Sequence, residues 1–250
     1  MKKIIALLTA ALVTVSVFAQ NLPAFTEAEK AYVFDAKQLK EDYDDYCKIV
    51  NLSTENNLSF DVYVMKSNKK EWLFAGSATV NGVLDSVTLE SEYEGHYERY
   101  RYFAIVPKDG RDYKVRFTWD EIDMYVVEHH YCAFLVNPVA DVPANVRDNS
   151  TIIDVNSIKG KFKDNIKLIN KSKDSNMDFV IFGFNNADDT VWEAVGKSHL
   201  KEADDTDFIE TPLHDQDADL FNFYAVYCTS GKKYDVNATK SHSDLYIEIK

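Results

Sequence analysis

Alternating carboxylates in the second half of the chain have a spacing compatible with calcium binding. Asp215, Asp217 and Asp219 alternate with uncharged residues, and Ca²⁺ takes about six to eight oxygen ligands. The segment begins like an EF-hand loop but has Leu220 in place of the loop's glycine and Val226 in place of its final glutamate. These residues therefore predict an acidic loop in solvent, with a calcium site as the alternative and no other cofactor.

The sequence contains no recognisable catalytic motif. It lacks the GxSxG, HExxH, Walker and GxGxxG patterns that position a nucleophile, a zinc ion or a phosphate. The one pair of adjacent histidines, His129 and His130, is a poor chelate because neighbouring residues of a strand point to opposite faces. We therefore expect a protein that is not an enzyme.

Aromatic side chains are the second candidate for ligand binding. Tyr125, Tyr246, Tyr63 and Phe182 fall on the polar, outward face of segments that alternate like strands. A row of exposed rings can stack on sugars or on the side chains of a partner protein. The same rings could instead pair across strands or form a contact between domains, so these four residues are candidate ligand-binding residues only.

Three cysteines raise the question of a disulfide. An odd number in an exported protein leaves at least one thiol unpaired or in an intermolecular bond. Cys47 lies in the first strong strand of the first half, and Cys132 follows the last strand of that half, so they form the candidate disulfide. Cys228 has no evident basic neighbour to lower the pKa of its thiol and is expected to be inert.

An internal repeat determines where all these residues lie. Residues of the first half recur 119, then 120, then 121 positions later along the chain. Each increase corresponds to a one-residue insertion of the kind that loops tolerate. The pairs include Asn51 and Asn170, Ser53 and Ser172, Trp72 and Trp192, Ala104 and Ala225, Gly110 and Gly231, and Tyr113 and Tyr234. The chain is therefore interpreted as a duplicated module.

Within each repeat, apolar residues recur with a period of two rather than 3.6. Phe60, Val62 and Val64 alternate with Asp61 and Tyr63, which is typical of a strand with one face on a core. Turn signals such as Asn-Gly and Asp-Gly separate such runs and favour hairpins. About seven or eight short strands per repeat, without a long helix, predict two tandem antiparallel β-sandwich domains.

The alternation, the turn spacing and the tryptophan of each repeat resemble immunoglobulin-like or fibronectin type III-like modules of bacterial surface proteins. The Cys…Trp…Cys pattern of true immunoglobulin domains is absent from both repeats. The sequence Ser243 to Ile247 also resembles a short motif in β-sandwich modules appended to secreted bacterial peptidases. These resemblances imply a fold and no functional residue.

The first 19 residues have the features of a secretory signal peptide. Lys2 and Lys3 precede an apolar run from Ile4 to Phe18, and small residues flank a predicted cleavage site after Ala19. The run is too short to favour a retained membrane anchor, and no later segment is apolar enough to span a membrane. The formal net charge of −13 argues against nucleic acid and anionic lipid as partners.

The predicted organisation is a signal peptide at 1–19, a lead at 20–30, repeat 1 at 31–128, a proline-containing linker at 129–150 and repeat 2 at 151–250. We expect a bacterial protein that is secreted, periplasmic or held at the cell surface and binds a protein, a cell-envelope component or a second copy. Two alternatives remain, a pair of carbohydrate-binding modules that use exposed aromatics and an enzyme with a site between the domains.

Overall fold

The computed structural model describes residues 22–39, 46–90, 100–124, 127–162, 165–209 and 221–250. The predicted signal peptide at 1–19 lies outside these ranges, and its cleavage stays a prediction. Within the described ranges, no helix has both the length and the apolar character needed to cross a membrane.

The described chain is all-β, as predicted, and forms two units of eight strands. The first unit contains β1 Tyr32–Asp35, β2 Tyr46–Asn51, β3 Leu58–Met65, β4 Leu73–Val80, β5 Ser86–Glu90, β6 Tyr102–Pro107, β7 Tyr113–Met124 and β8 Val127–Pro138. The second contains β9 Thr151–Asp154, β10 Ile166–Asn170, β11 Met177–Phe184, β12 Glu193–Leu200, β13 Thr206–Ile209, β14 Phe223–Cys228, β15 Val236–Ser241 and β16 Asp244–Ile249. One short helix, α1 Ala144–Asn149, lies between the units.

Each unit consists of two four-stranded sheets with the same strand order. The first unit has the orders β1-β6-β3-β4 and β5-β2-β8-β7, and the second has β9-β14-β11-β12 and β13-β10-β16-β15. A separate hydrophobic core in each unit contains residues from both of its sheets. This arrangement is in keeping with β-sandwich units, in which the inner faces of two sheets pack together.

The expectation of purely antiparallel sheets is wrong at one pair in each unit. β2 runs parallel to β8, and β10 runs parallel to β16, while the other strand pairs of the described residues are antiparallel. Parallel neighbours need a long connection, and here most of the unit lies between the two strands. The first strand also pairs with the sixth, whereas the constant-type immunoglobulin sheet has the order ABED.

The interval predicted as a linker contains regular structure. Residues 129–138 belong to β8, the strand that pairs with both β2 and β7. The remainder turns at Val139 and Ala140 and then enters α1, whose N-cap residue is Pro143. The apolar residues of this interval are therefore part of a sheet strand, and alternate ones, Cys132, Phe134 and Val136, fill the core of the first unit.

A hydrogen-bonded loop staple explains why Asn51 and Ser53 recur in the second half. The Asn51 side chain is fully buried, and its Nδ2 donates to the backbone carbonyls of Glu55 at 2.7 Å and Gly82 at 2.8 Å. Its Oδ1 accepts hydrogen bonds from the backbone N–H and the hydroxyl of Ser53. One amide thereby ties the β2–β3 loop to the β4–β5 turn, which satisfies backbone groups that would otherwise be buried without partners.

The second unit contains the same loop staple. Asn170 Nδ2 donates to the carbonyls of Asp174 and Glu202, both at 2.8 Å, and Asn170 Oδ1 accepts from the N–H and hydroxyl of Ser172. Each serine hydroxyl in turn accepts the N–H of the residue two positions later. The two units therefore share side-chain contacts as well as strand order.

Candidate functional site

A partly exposed group of aromatic rings lies on the outer face of the first unit. We call Phe25, Tyr63, Trp72 and Phe74 the aromatic surface. The Phe25 ring lies 5.0 Å from that of Tyr63 and 5.3 Å from that of Trp72, and Tyr63 lies 5.4 Å from Phe74. All three contacts are edge-to-face, which is a favourable aromatic geometry.

The strands β3 and β4 position this surface. Tyr63 lies opposite Phe74 in the register of the pair, directly after an irregularity between Val62 and Tyr63. Such a bulge turns the following side chain relative to the regular pleat. Phe74 is 57% exposed, although a phenyl ring is among the most strongly apolar side chains. The sequence-predicted residue Tyr63 is therefore at this site, half-buried between two other rings.

The N-terminal lead covers one side of the aromatic surface. The Trp72 indole N–H donates to the carbonyl of Ala24 at 3.0 Å, and the ring of Phe25 packs between Trp72 and Tyr63. Trp72 is half-buried by these contacts on the outer face. Trp72 therefore packs on the outer face of the first unit rather than in its core.

The corresponding face of the second unit is covered. Phe182, predicted as an exposed ligand-binding residue, is only 1% exposed and belongs to a buried cluster with Trp192. Val142 and Val146, from the segment that precedes β9, belong to the same cluster. The prediction for Phe182 is wrong because its outward-facing position is buried by a neighbouring chain segment that strand periodicity alone does not reveal.

The first unit also packs on this face of the second unit. The Ala194 N–H, on the edge strand β12, donates to the Leu52 carbonyl at 2.7 Å, and Asn137 Nδ2 donates to the Trp192 carbonyl at 3.2 Å. Leu84 packs against the buried cluster of the second unit. Apolar residues, a backbone–backbone hydrogen bond and a side-chain hydrogen bond to a backbone carbonyl thus join the two units.

An ion pair borders the contact between the units. Arg116 Nη2 lies 2.7 Å from Glu193 Oε2, and both side chains are largely removed from solvent. Burial lowers the pKa of the Arg116 guanidinium, and the Glu193 carboxylate acts in the opposite direction. Removing one partner would leave the other charge poorly solvated.

Tyr246, another predicted ligand-binding residue, lies on the outer face of the sheet β13-β10-β16-β15 of the second unit. Its ring is 5.8 Å from the ammonium group of Lys167, which also lies 4.7 Å from the ring of Phe208. Lys167 is opposite both residues in the strand register, and Phe208 is 52% exposed. Tyr125 lies outside the described residues, so the structure does not place it with Tyr246.

A polar cleft of about 570 Å³ opens at one end of the second unit, beside the loop staple. Asp174 accepts hydrogen bonds from Lys232 and, at 2.6 Å, from the Tyr234 hydroxyl. These two bonds lower the pKa of the Asp174 carboxyl. Cys228 lines the cleft but also belongs to the core cluster, where its side chain is 3% exposed. Asp174 thus holds Lys232 and Tyr234 together at the edge of the cleft.

The predicted calcium ligands Asp215, Asp217 and Asp219 lie outside the described residues. Among the residues that the structure does describe, no three His, Cys, Asp or Glu side chains are grouped so as to hold a metal ion. The calcium site therefore stays a prediction.

The candidate disulfide residues are brought together. Cys47 and Cys132 are directly opposite each other in the parallel pair β2–β8, and neither has any solvent exposure. They are present as thiols rather than as a disulfide. Burial, followed by the contact with Cys47, raises the pKa of the Cys132 thiol.

Three residues of the sites described above were missed in the sequence. Phe25 lies in the segment predicted as the lead at 20–30, Phe74 is not among the predicted ligand-binding residues, and Leu52 follows a strand without any special pattern. Their roles depend on which faces meet in three dimensions, although the aromatic character of the segment from Trp72 to Phe74 was a usable signal. Comparison with known protein families, with curated proteins and with solved structures finds no match to this chain.

Proposed function

We propose that this chain is an exported, non-enzymatic binding protein made of two duplicated β-sandwich units, which holds a partner polypeptide on the aromatic surface of the first unit. The observation that carries the proposal is the 57% exposure of Phe74 within a group of contacting rings. Phe74 continues a patch with the half-buried rings of Phe25, Tyr63 and Trp72, and contiguous apolar patches mark interaction sites more often than isolated apolar residues do. Aromatic side chains are also enriched at the energetic centres of protein interfaces.

Shared strand order and the identical loop staples support the duplication. The immunoglobulin-like or fibronectin type III-like identity is retained only as a proposal about ancestry, since the first strand of each unit has a different neighbour from that in the immunoglobulin sheet. Export rests on the sequence features of residues 1–19.

The second unit supports the choice of the aromatic surface. Phe74 corresponds to Ala194, because Tyr63 pairs with Phe74 and Phe182 pairs with Ala194 just after the same irregularity. In the second unit, the segment before β9 covers one side of this face, and the Leu52 corner of the first unit covers the other. In the first unit, the N-terminal lead takes the place of the segment before β9. Phe74 lies where the second unit is covered by the Leu52 corner, and there it is exposed.

The same comparison indicates the chemistry of the partner. We propose that it presents an apolar turn with an accessible backbone carbonyl, as Leu52 does to Ala194. Phe74 has the same register on the edge strand β4, so its N–H is directed to the open edge where such a carbonyl can accept it. This is recognition at a strand edge combined with burial of apolar side chains.

A second copy of the chain is a poor candidate for this partner. In the second unit, Lys171 and Asp204 take the places of Leu52 and Leu84. The Asp204 N–H donates to the Asn170 carbonyl, just as the Leu84 N–H donates to the Asn51 carbonyl. Lys171 directly follows Asn170, as Leu52 follows Asn51. Lys171 and Asp204 form an exposed ion pair at 2.7 Å. Burying that pair against the aromatic surface would cost desolvation energy.

Site-specific photo-cross-linking tests the proposal. A photoreactive phenylalanine analogue placed at Phe74 in the full chain, in the source cell, should give one discrete polypeptide adduct. The same analogue at Phe208, which has a similar exposure of 52%, is the matched control and should not give it. Phe74→Ala should then weaken binding of the purified partner by about tenfold or more. No adduct at position 74, the same adduct at both positions, or an adduct with the chain itself would refute the proposal.

Carbohydrate binding is the second candidate, because Tyr246 and Phe208 flank Lys167 on an outer sheet face. Rings that stack on sugars and an ammonium group that donates to hydroxyls are suited to a glycan. Calorimetry with a panel of soluble polysaccharides tests it. Binding that is lost in Tyr246→Ala and kept in Phe74→Ala would support this candidate, and the opposite pattern or no heat would refute it.

A further inference from the structure

We propose that Cys47 and Cys132 form a disulfide that closes while the chain is folding and is then sealed by the completed core. The two residues are directly opposite each other in β2 and β8. Neighbouring strands lie about 4.8 Å apart, and the Cα atoms of disulfide-bonded cysteines are usually about 4.4–6.8 Å apart. The spacing of neighbouring strands therefore lies within the Cα range of disulfide-bonded cysteines.

Both sulfur atoms lie on the same side of their sheet. Cys47 and Cys132 belong to the same core cluster, between the two sheets of the first unit. Directly opposite residues of a parallel pair project to the same face, and the Cys132 thiol is in contact with Cys47. The two thiols are thus neighbours within the core of the folded unit.

The second unit shows that this position does not otherwise require sulfur. Its corresponding pair, in β10 and β16, is Ile166 and Leu245, and both are fully buried. The first unit has cysteine at both positions and the second unit has an aliphatic residue at both. Apolar packing alone fills this place in the second unit, so the joint occurrence of two cysteines in the first is accounted for by a bond between them.

The reaction is thiol–disulfide exchange with an oxidant of the disulfide class. The thiolate of one cysteine attacks the external disulfide and releases one thiol, and the second cysteine then displaces the other to leave the Cys47–Cys132 bond. Two protein thiols are oxidised and one external disulfide is reduced to two thiols. Neither sulfur is accessible in the folded unit, and burial raises the pKa of Cys132, so exchange must precede completion of the core.

Thiol counting on the full chain tests both parts of the proposal. The reduced, urea-unfolded protein is refolded either in a glutathione redox buffer or in reductant, then unfolded in an alkylating reagent and weighed by mass spectrometry. We expect one alkylated cysteine after refolding in the redox buffer and three after refolding in reductant. Three in both samples, or a peptide map that links Cys228 to another cysteine, would overturn the disulfide.

Two controls separate the bond from its timing. Cys228→Ser should leave no alkylated cysteine after oxidative refolding, whereas Cys47→Ser should leave two. The folded, reduced wild-type protein placed in the same redox buffer should oxidise at least about tenfold more slowly than the refolding chain, because it must open first. Equal rates would overturn the inference that the bond closes before the core is complete.

Discussion

Replacing Asn170 with alanine should strongly destabilise the second unit through the loss of its loop staple. The side chain is fully buried and makes four hydrogen bonds, at 2.8 to 2.9 Å, to two carbonyls, one N–H and one hydroxyl. A hydrogen bond contributes about 1 kcal/mol net, and more when its loss leaves a buried group without a partner. The expected loss is therefore about 4 kcal/mol, a large fraction of the stability of a domain of this size.

Urea unfolding followed by circular dichroism and tryptophan fluorescence measures this loss. With a slope of about 2 kcal/mol per molar urea, the midpoint of the affected transition should fall by about 2 M. Asn237→Ala is the matched control, because Asn237 makes a single exposed hydrogen bond to Glu248 at 3.0 Å, and it should change stability by no more than about 0.5 kcal/mol. Asn51→Ala should produce a similar loss in the first unit. Equal, small effects of Asn170→Ala and Asn237→Ala would refute the reasoning.

Three further substitutions probe the contact between the units, the stability of the fold in acid, and the packing of Gly183 against Phe221. Leu52→Asp buries a charge at a position that is 1% exposed and should cost at least about 2 kcal/mol in urea unfolding, whereas Lys171→Ala at the equivalent exposed corner should cost about 0.5 kcal/mol or less. Burial raises the pKa of the Asp35 carboxyl, but hydrogen bonds from Arg101 and from the Lys37 N–H lower it by more, so its pKa in the folded chain lies below the ordinary value. Asp35 therefore stabilises the fold fully above its unfolded pKa of about 3.9, and this stabilisation is lost as the pH falls through the lower folded pKa. Asp35→Asn should accordingly flatten the acid side of a curve of unfolding free energy against pH. Gly183→Ala would place a Cβ in steric overlap with the Phe221 ring and should lower the urea midpoint by the equivalent of about 1–3 kcal/mol; an unchanged midpoint would contradict this packing.

The local sequence pattern was sufficient to predict individual strands but not which strands pair with each other. The alternation around Phe60 predicted β3, and the turn signals predicted where strands end, because side-chain period and turn chemistry are properties of a few consecutive residues. The expectation that these turns form hairpins is wrong, since Asn81-Gly82 joins β4 to β5 and Asp109-Gly110 joins β6 to β7, and each of these pairs belongs to two different sheets. The parallel pairing of β2 with β8 was not predicted, since it joins residues far apart in sequence. The aromatic surface was predicted in part, through Tyr63. Phe182 was placed on the correct, outward face but wrongly expected to be exposed, because another chain segment covers that face.

The sequence by itself determined that the chain is all-β and repeats its pattern of residues, since both follow from period and spacing. It also marked Asn51 and Asn170 as a recurring pair, although not as buried hydrogen-bonding centres. Only the tertiary structure decided which outward faces are covered: the second unit buries Phe182 beneath other segments, while the first leaves Phe74 exposed. The physical reason is that strand periodicity separates two faces but carries no information on what packs against the outer one.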